Sequence, residues 1–543
     1  MLSEACEAAL PRYMVPSAFV CLSAWPLNSS GKVDRKQLPE PEASNGAGEY
    51  VAARTVPEQW VAAAMAEVLQ LDRAPSATMD LLSVGLTSLL AVRVSSLLRS
   101  RHDLTVPTAT VLRLRTIAGI AASMAESSER DDEALVRRDR ATEDVALPLS
   151  YEQEQMWVLY QLDRSSGAYN VPAVHRLRGV LDVERLCGAV EAAAHRHETL
   201  RMRYGEGDDG SAFQRAVLCE CWDVGVREVT VGSVSEALAE VLLECESSME
   251  LEMCSVRLLV VHVGTADEDH MMVLNVHHIA TDGWSTEHLL GDVVSAYNAL
   301  AGGRSVNVGD ERGLRYADYA QWQREMLSDE ARVEPHERYW REALGGELPV
   351  LELQTDHPRP AVLTSHGGSV DVCIDDVASD GLRALCRQCG ATTMRGALAV
   401  WAVTLGKHSG QDEVVVGIPY ANREHPATHS VVGYFVNTLA IRVRVDGSAS
   451  FRESLVHVNS VTNEAMAHAA VPFMRVMAIV CSDRDASRTP VFQTMLTWEE
   501  AAGWGGDGFM SLWMLESVGD AWGYGVDEQS NAPSTSTSTS TSP

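Results

Sequence analysis

Two adjacent histidines, His277 and His278, end the apolar run MMVLNV, and an Asp-Gly pair follows at Asp282 and Gly283. Imidazole is the side chain whose ordinary pKa lies nearest neutrality, so it suits proton transfer. Asp282 could orient an imidazole or hold the loop. A buried, hydrogen-bonded histidine fits the same local pattern, and the pattern alone does not separate that reading from catalysis.

The segment around the histidines is predicted to be a strand, a loop and a helix. Asp-Gly is a turn signal, and the apolar residues after it, Leu290, Val293, Val294 and Tyr297, recur at helical spacing. Successive strand side chains point to opposite faces, so one imidazole can face a cavity while its neighbour faces the core. That arrangement suits chelation of one ion poorly, and we predict no metal here.

A serine at a predicted helix start is the second candidate. Gly85 permits a tight turn, Thr87 and Ser88 fall at the start of the helix, and the apolar residues of GLTSLLAVRVSSLL bury one face. The N–H groups and partial positive charge of a helix N-terminus favour an attached phosphate. On local pattern a simple N-cap role for Ser88 is the alternative.

Composition restricts the partners and the compartment. The 543 residues include 75 acidic and 44 basic side chains, a net charge of -31, which disfavours binding to nucleic acid or an anionic membrane. Eleven scattered cysteines, with one isolated CxxC at Cys386 and Cys389, favour a reducing compartment. No signal peptide and no run of about 20 apolar residues is present. These features predict a cytoplasmic protein without a membrane span.

The chain divides into five predicted segments. Residues 1–45 are short and proline-punctuated, 52–124 read as helical, and 125–146 are charge-dense and resemble a linker. Alternating strand and helix patterns run through 147–510. Residues 511–543 are divergent and Ser/Thr-rich, and they are predicted to be a disordered tail.

The stretch DLLSVGLTSLLAVRV resembles the thiolation (peptidyl carrier) domain of nonribosomal peptide synthetases. That resemblance implies a small four-helix bundle, with Ser88 as the attachment point of 4'-phosphopantetheine and a phosphopantetheinyl transferase as partner. Gly85-Leu86-Thr87 stands where the family usually has Gly-Gly-His or Gly-Gly-Asp.

The N-terminal segment resembles the last two motifs of an adenylation domain, in LPRYMVPSAF (10–19) and SGKVDRKQLP (30–39). Lys32 matches the family's lysine that contacts acyl carboxylate and phosphate oxygens. Residues 1–45 are too few to build an ATP site, so we expect no adenylation by this chain alone. An upstream adenylation core is the implied partner.

The histidine segment HHIATDGWS matches the HHxxxDG motif of synthetase condensation domains. Six further motifs of that family occur in the family's order, and these are LSYEQEQMWVL (149–159), RHETLRMRY (196–204), YADYAQW (316–322), VGIPYANR (416–423), GYFVNTLAIR (433–442) and RDASRTPVFQTM (484–495). The resemblance implies an α/β, two-lobed chloramphenicol acetyltransferase-like fold, with an N-lobe at about 147–325 and a C-lobe at about 326–510.

The resemblance also implies roles for the site residues. His278 is the expected catalytic residue, either taking a proton from an attacking amine or hydrogen-bonding the carbonyl oxygen as charge develops on it. His277, Asp282 and Gly283 support it, Gly283 by permitting a turn, and Arg423 is the candidate partner of Asp282. The reaction would join an acyl or peptidyl thioester held on Ser88 to an amine on a downstream acceptor carrier.

Two alternatives stay open. Similarity to the family fades after Trp498, so the chain could instead be a carrier and docking module whose condensation domain is truncated and inactive. An epimerisation domain also contains HHxxxDG, although the DGWS, ANR and YFVNT matches favour condensation. Sequence does not reveal the amino-acid substrates.

Overall fold

A computed structural model describes residues 50–69, 71, 73–84, 86, 88–102, 106, 108–124, 135–138, 140, 144–218, 221–222, 224–264, 269–306, 313–361, 368, 370, 372–481, 487–498 and 514–517. The chain separates into an N-terminal unit, residues 1–106 and 110–128, and a C-terminal unit, residues 107–109 and 129–543. Lys32 and the whole adenylation-like segment 1–45 lie outside the described residues.

The described residues between 56 and 124 form four α-helices, as the carrier resemblance predicts. They are α1 (Val56–Val68), α2 (Ser88–His102), α3 (Thr108–Leu114) and α4 (Ile117–Met124). A capping box begins α1, because Thr55 accepts from the Glu58 N–H while Glu58 caps the Thr55 N–H. Helix α1 packs against α2 and α4. Ser88 is the first residue of α2, which confirms the predicted helix start.

The first half of the C-terminal unit is a mixed sheet covered by helices. Its strands and helices are β1 (Leu147–Pro148), α5 (Tyr151–Leu162), β2 (Asn170–Arg178), α6 (Val183–Arg196), β3 (Met202–Glu206), β4 (Ala212–Ala216), β5 (Val226–Val231), α7 (Val234–Glu246), β6 (Val256–Val263), β7 (Asp269–His277), α8 (Gly283–Ala301) and α9 (Tyr316–Ser328). A short 3-10 turn spans Glu198–Arg201.

Strand β7 lies inside this sheet, between β2 and β6, and pairs antiparallel with both. Its residues are buried along nearly the whole strand, as expected of a continuous apolar run covered on both faces. With β10 (Met514–Ser517) at its edge, the five-stranded sheet has the order β10-β2-β7-β6-β5, and β1, β4 and β3 form a smaller sheet. The strand that ends at His277 is therefore hydrogen-bonded along both of its edges.

The remaining elements form the second half of the unit. They are α10 (Glu330–Ala343), α11 (Asp376–Cys389), α12 (Thr393–Ser409), β8 (Glu413–Tyr420), β9 (Asn437–Arg444), α13 (Phe451–Ala467) and α14 (Phe473–Val480). Strands β8 and β9 pair antiparallel, and α12 and α13 pack beside them.

One element corrects the sequence analysis. Strand β10 lies within 511–543, which composition predicted to be disordered, and its backbone pairs antiparallel with β2 over Met514–Ser517. Backbone groups at a sheet edge can pair with a segment whatever its side chains are, so composition missed this strand. In the part of the chain that the structure describes, no helix is long and apolar enough to cross a membrane.

Candidate active site

The histidine loop begins where β7 ends. His277 is the last residue of β7, and the backbone N–H of His278 donates to the Tyr169 carbonyl at 2.8 Å, just before β2. A turn over residues 278–280 follows, with the Ala280 N–H bound to the His277 carbonyl. The predicted order of strand, loop and helix is confirmed.

His277 points inward. Its side chain is buried, and its Nδ1 accepts the Ile279 N–H at 3.1 Å, so the proton of the neutral ring is on Nε2. Burial, with a smaller contribution from the charge of His278, lowers the pKa of His277 to about 4. This ring is therefore neutral at physiological pH and holds the shape of the loop.

His278 is half-buried and has a fixed tautomer. Its Nδ1 lies 2.7 Å from the Thr281 carbonyl oxygen, and a carbonyl can only accept, so Nδ1 carries a proton. In a neutral ring of this tautomer, the lone pair is on Nε2. An edge-to-face contact with Tyr434, with ring centroids 4.7 Å apart, fixes the ring plane.

Asp282 is buried and joins two elements. As the N-cap of α8 it accepts the Ser285 N–H at 2.8 Å through Oδ1, and its Oδ2 accepts the Phe435 N–H at 3.0 Å. Arg423 places one guanidinium nitrogen, Nη2, at 3.0 and 3.1 Å from the two carboxylate oxygens. Both side chains are fully buried. The structure thus brings together the Asp282 and Arg423 that the resemblance paired, through a single nitrogen rather than a two-nitrogen fork.

Arg423 also binds the backbone of the segment that precedes β9. Its Nη1 donates to the carbonyl oxygens of Thr428 at 2.5 Å and Val431 at 2.8 Å, and its guanidinium lies 4.0 Å from the centre of the Phe435 ring. Asp282 is the N-cap of α8 and lies at the end of the histidine loop. The buried Arg423 guanidinium therefore connects this loop to the second half of the unit.

Ser285 is a site residue that sequence analysis missed. Its hydroxyl donates to the Gly433 carbonyl at 3.0 Å and accepts from the Gly433 N–H at 3.1 Å and from Arg423 Nη2 at 2.6 Å. The hydroxyl is buried and every bond it makes crosses to the second half of the unit. The one signal was its position at the end of DGWS, inside the quoted motif.

Gly283 does not have the role predicted for it. It is the first residue of α8, its φ is not in the left-handed region, and an added Cβ would meet nothing within 4 Å. The Asp-Gly pair is a helix cap followed by its first residue, not a turn that needs glycine. Gly433 does need to be glycine, because an added Cβ would lie 2.0 Å from the Tyr316 ring.

A buried carboxyl group lies at the start of α5. Glu152 accepts two hydrogen bonds of 2.8 Å from the Gln323 amide, and burial raises its pKa to about 7. The neighbouring Gln153 amide donates to the Ile279 carbonyl at 3.3 Å, which ties α5 to the histidine loop.

The structure also bears on metal and cofactor binding. Among the described residues, no three His, Cys, Asp or Glu side chains converge on a point that could hold a metal ion. Ser88 begins a 15-residue helix, whose N-terminal N–H groups suit the phosphate of a pantetheine arm. The residues present therefore fit the implied 4'-phosphopantetheine.

Comparison with known proteins identifies two regions. Residues 143–516 match the family model described as "Condensation domain", six residues beyond the predicted end at 510, and residues 59–124 match "Phosphopantetheine attachment site". The chain is 33% identical over 498 residues to malpinin synthetase of Mortierella alpina, covering 91% of this chain and 6% of the relative. It is 32% identical over 497 residues to surfactin synthase subunit 1 of Bacillus subtilis (strain 168), covering 91% and 13%. The chain thus spans a small part of these relatives.

Solved structures agree in fold. The X-domain from teicoplanin biosynthesis matches with a TM-score of 0.60 and 25% identity, covering 67% of this chain and 79% of the other. The condensation domain of the Monacolin K polyketide synthase MokA matches with a TM-score of 0.54 and 23% identity, covering 65% and 81%. The predicted fold class, a helical carrier followed by a chloramphenicol acetyltransferase-like body, is confirmed. This chain belongs to the condensation-domain family of nonribosomal peptide synthetases, with a phosphopantetheine attachment site preceding the condensation domain.

Proposed function

We propose that the chain forms an amide bond between an acyl group carried at Ser88 and the amine of an acceptor carried by another domain. The observation that carries this proposal is the geometry of His278, whose Nδ1 proton is committed to the Thr281 carbonyl, so that Nε2 is the proton acceptor of the neutral ring. When bound, the pantetheine arm supplies a thiol that holds the acyl group as a thioester. The acceptor nitrogen forms the new C–N bond as the C–S bond breaks, and the proton that the nitrogen loses ends on the departing sulfur, which leaves as a thiol.

The neutral form of His278 suits one of its two expected roles. A neutral imidazole with its proton on Nδ1 can accept at Nε2 but cannot donate there. Stabilising a developing oxyanion would require a donor at Nε2, and hence a charged ring. We therefore assign His278 as the group that receives the proton of the attacking amine. Asp282 and Arg423 are positioning residues, since their contacts hold the loop and the helix that follows it.

The proposed partners follow from this reaction. A phosphopantetheinyl transferase modifies Ser88, an upstream adenylation core supplies the acyl group, and a downstream carrier presents the acceptor as an aminoacyl thioester. Lys32 is proposed as the remnant lysine of that adenylation domain. We place these steps in the cytoplasm, because the acidic composition and scattered cysteines suit it.

The test loads Ser88 and looks for product. Incubation with an acyl-coenzyme A and a phosphopantetheinyl transferase should add the mass of an acyl-pantetheine arm, and Ser88→Ala should abolish that gain. Supplying an aminoacyl N-acetylcysteamine thioester should then release the acyl group from Ser88 into an amide detected by mass spectrometry. A loaded wild-type chain that forms no amide would refute the proposal and support the inactive docking module.

The two activities that share HHxxxDG are separated in the same samples. If the chain epimerised its substrate, the Cα hydrogen of a loaded aminoacyl group would exchange with deuterated solvent. Condensation predicts an amide product without that exchange. Exchange in the absence of amide formation would assign epimerisation instead.

A further inference from the structure

Part of the charge-dense stretch 125–146, predicted to be a linker, packs on later segments of the C-terminal unit. Leu135 is only 6% exposed and belongs to a buried cluster with Tyr316, Tyr319, Val431 and Phe435. Phe435 is the residue whose N–H binds Asp282. The only large apolar residue buried in this stretch, among those the structure describes, thus lies against the aromatic rings behind the site.

Arg140 fixes the other end of the same stretch. Its side chain is 7% exposed and bridges two buried carboxylates, Glu198 at 3.0 Å and Asp318 at 3.1 Å. These acids belong to different elements, the 3-10 turn after α6 and helix α9. Burial of all three groups distinguishes this bridge from an exposed surface ion pair, which holds a segment weakly.

The residues between these two anchors are also bound. Arg138 forms a two-nitrogen ion pair with Glu325, and its carbonyl accepts from Arg315. Arg137 donates to the Gly313 carbonyl at 3.1 Å. Residues 135–138 and 140, called the clasp below, therefore contact later segments of the C-terminal unit at both ends and in between.

We infer that the clasp shortens the tether of the carrier, because the tether ends at Leu135 instead of at β1. The shorter tether favours a donor held on Ser88 of the same chain over a donor that arrives from solution. This inference rests on the proposed function, since it concerns how the donor reaches that reaction. The last carrier helix ends at Met124. Eleven residue steps separate Met124 from Leu135, whereas 23 separate Met124 from Leu147, the first residue of β1.

The difference in length has a calculable effect. Eleven steps span at most about 40 Å and 23 steps at most about 80 Å, at roughly 3.3–3.6 Å per residue. Once a tether is long enough to span its two sites, the effective concentration at its end falls with about the −3/2 power of its length. Releasing the clasp would therefore lower the concentration of the Ser88 donor at the site about 3-fold, while a free donor would be unaffected.

A pair of insertions tests this inference without disturbing the clasp. About twelve Gly/Ser residues are inserted either between Met124 and Leu135, before the clasp, or between Arg140 and Leu147, after it. The cis rate is single-turnover amide formation from an acyl group loaded on Ser88. The trans rate uses the Ser88→Ala form of each chain with an acyl N-acetylcysteamine thioester as donor.

The insertion before the clasp should lower the cis rate about 3-fold and leave the trans rate unchanged. The insertion after the clasp should change neither rate, because the tether between Met124 and Leu135 keeps its original length. Equal cis rates for the two insertions would overturn the inference, whether both fall or both stay at the wild-type level.

Removing all the clasp anchors together provides an independent test. A chain with Leu135→Ser, Arg137→Ala, Arg138→Ala and Arg140→Ala should release the clasp and reproduce the 3-fold cis defect with an unchanged trans rate. Equal losses of cis and trans rates would mean that these residues only maintain the fold, and this would overturn their role in the tether. If the wild-type chain forms amide with neither donor, the proposed function fails rather than the clasp.

Discussion

Replacing Asp282 by Asn tests the buried ion pair that connects the histidine loop to the second half of the C-terminal unit. Asp282 and Arg423 are both fully buried, so solvent does not screen the pair. The Asp282 carboxylate accepts hydrogen bonds from Ser285, Phe435 and Arg423. An Asn side chain has one acceptor oxygen, and its NH2 group would face a donor in place of the second oxygen. Removing one member of a buried pair typically costs about 3–5 kcal/mol, and we expect that loss in the free energy of unfolding.

Urea unfolding followed by tryptophan fluorescence measures this loss, and Asp380→Asn is the matched control. Asp380 pairs with Arg383 across an exposed turn of α11, with side chains 76% and 53% exposed, so its loss should cost less than about 1 kcal/mol. A double variant, Asp282→Asn with Arg423→Gln, should cost less than the sum of the single variants. If Asp282→Asn costs no more than Asp380→Asn, the pair does not hold the loop and the reasoning fails.

Three further predictions concern side chains around the site. Ser285→Ala should lower the free energy of unfolding by about 1–3 kcal/mol, because buried groups of Gly433 and Arg423 lose a hydrogen-bond partner. The control Ser295→Ala, on the exposed face of α8, should have little effect. Equal urea midpoints for the two variants would contradict this prediction. Gly283→Ala should leave the free energy of unfolding unchanged or raise it by up to about 1 kcal/mol. A large loss would instead support the predicted turn, which needs glycine at this position. The pKa of Glu152 is raised to about 7 from an ordinary value of 4.5, so between these pH values the folded chain keeps a proton that the unfolded chain has lost. The free energy of unfolding should therefore fall by about 3 kcal/mol as the pH rises through that interval. Glu152→Gln should flatten this pH dependence, and an unaltered slope of urea midpoint against pH would exclude the assignment.

The local course of the chain around the histidines could be predicted because its signals are local. The apolar run before His277 indicates a strand, and helical spacing beyond Asp282 indicates a helix, and both are present. The helix start at Ser88 likewise followed from a nearby glycine and the apolar face behind it. Each of these inferences needed only neighbouring residues.

The contacts that assemble the site lie far apart in sequence and had no local signal. Ser285 and Gly433 are 148 residues apart, and the Phe435 group that binds Asp282 is a backbone N–H, which every residue except proline has. Gly283 was misinterpreted because Asp-Gly occurs both in turns and at helix starts. Pairing Asp282 with Arg423 depended on the family resemblance, since no spacing rule joins residues 141 apart.

The predicted linker shows the same limit from another side. Its charges suggested solvent exposure, yet Arg140 lies between two buried acids that belong to motifs 58 and 178 residues away. A charge pattern records which ionisable groups are present but does not show which of them meet after folding. The tether length therefore became visible only with the tertiary structure.

The role of His278 is the central claim, and one comparison tests it most directly. Single-turnover amide formation is measured from an acyl group loaded on Ser88, with a saturating aminoacyl N-acetylcysteamine acceptor, in His278→Ala and in His408→Ala. His408 is exposed on α12, so its variant should match the wild-type rate. Loss of the proton acceptor should slow His278→Ala by about 10²–10⁴-fold with unchanged loading of Ser88. Equal rates for the two variants would contradict the account.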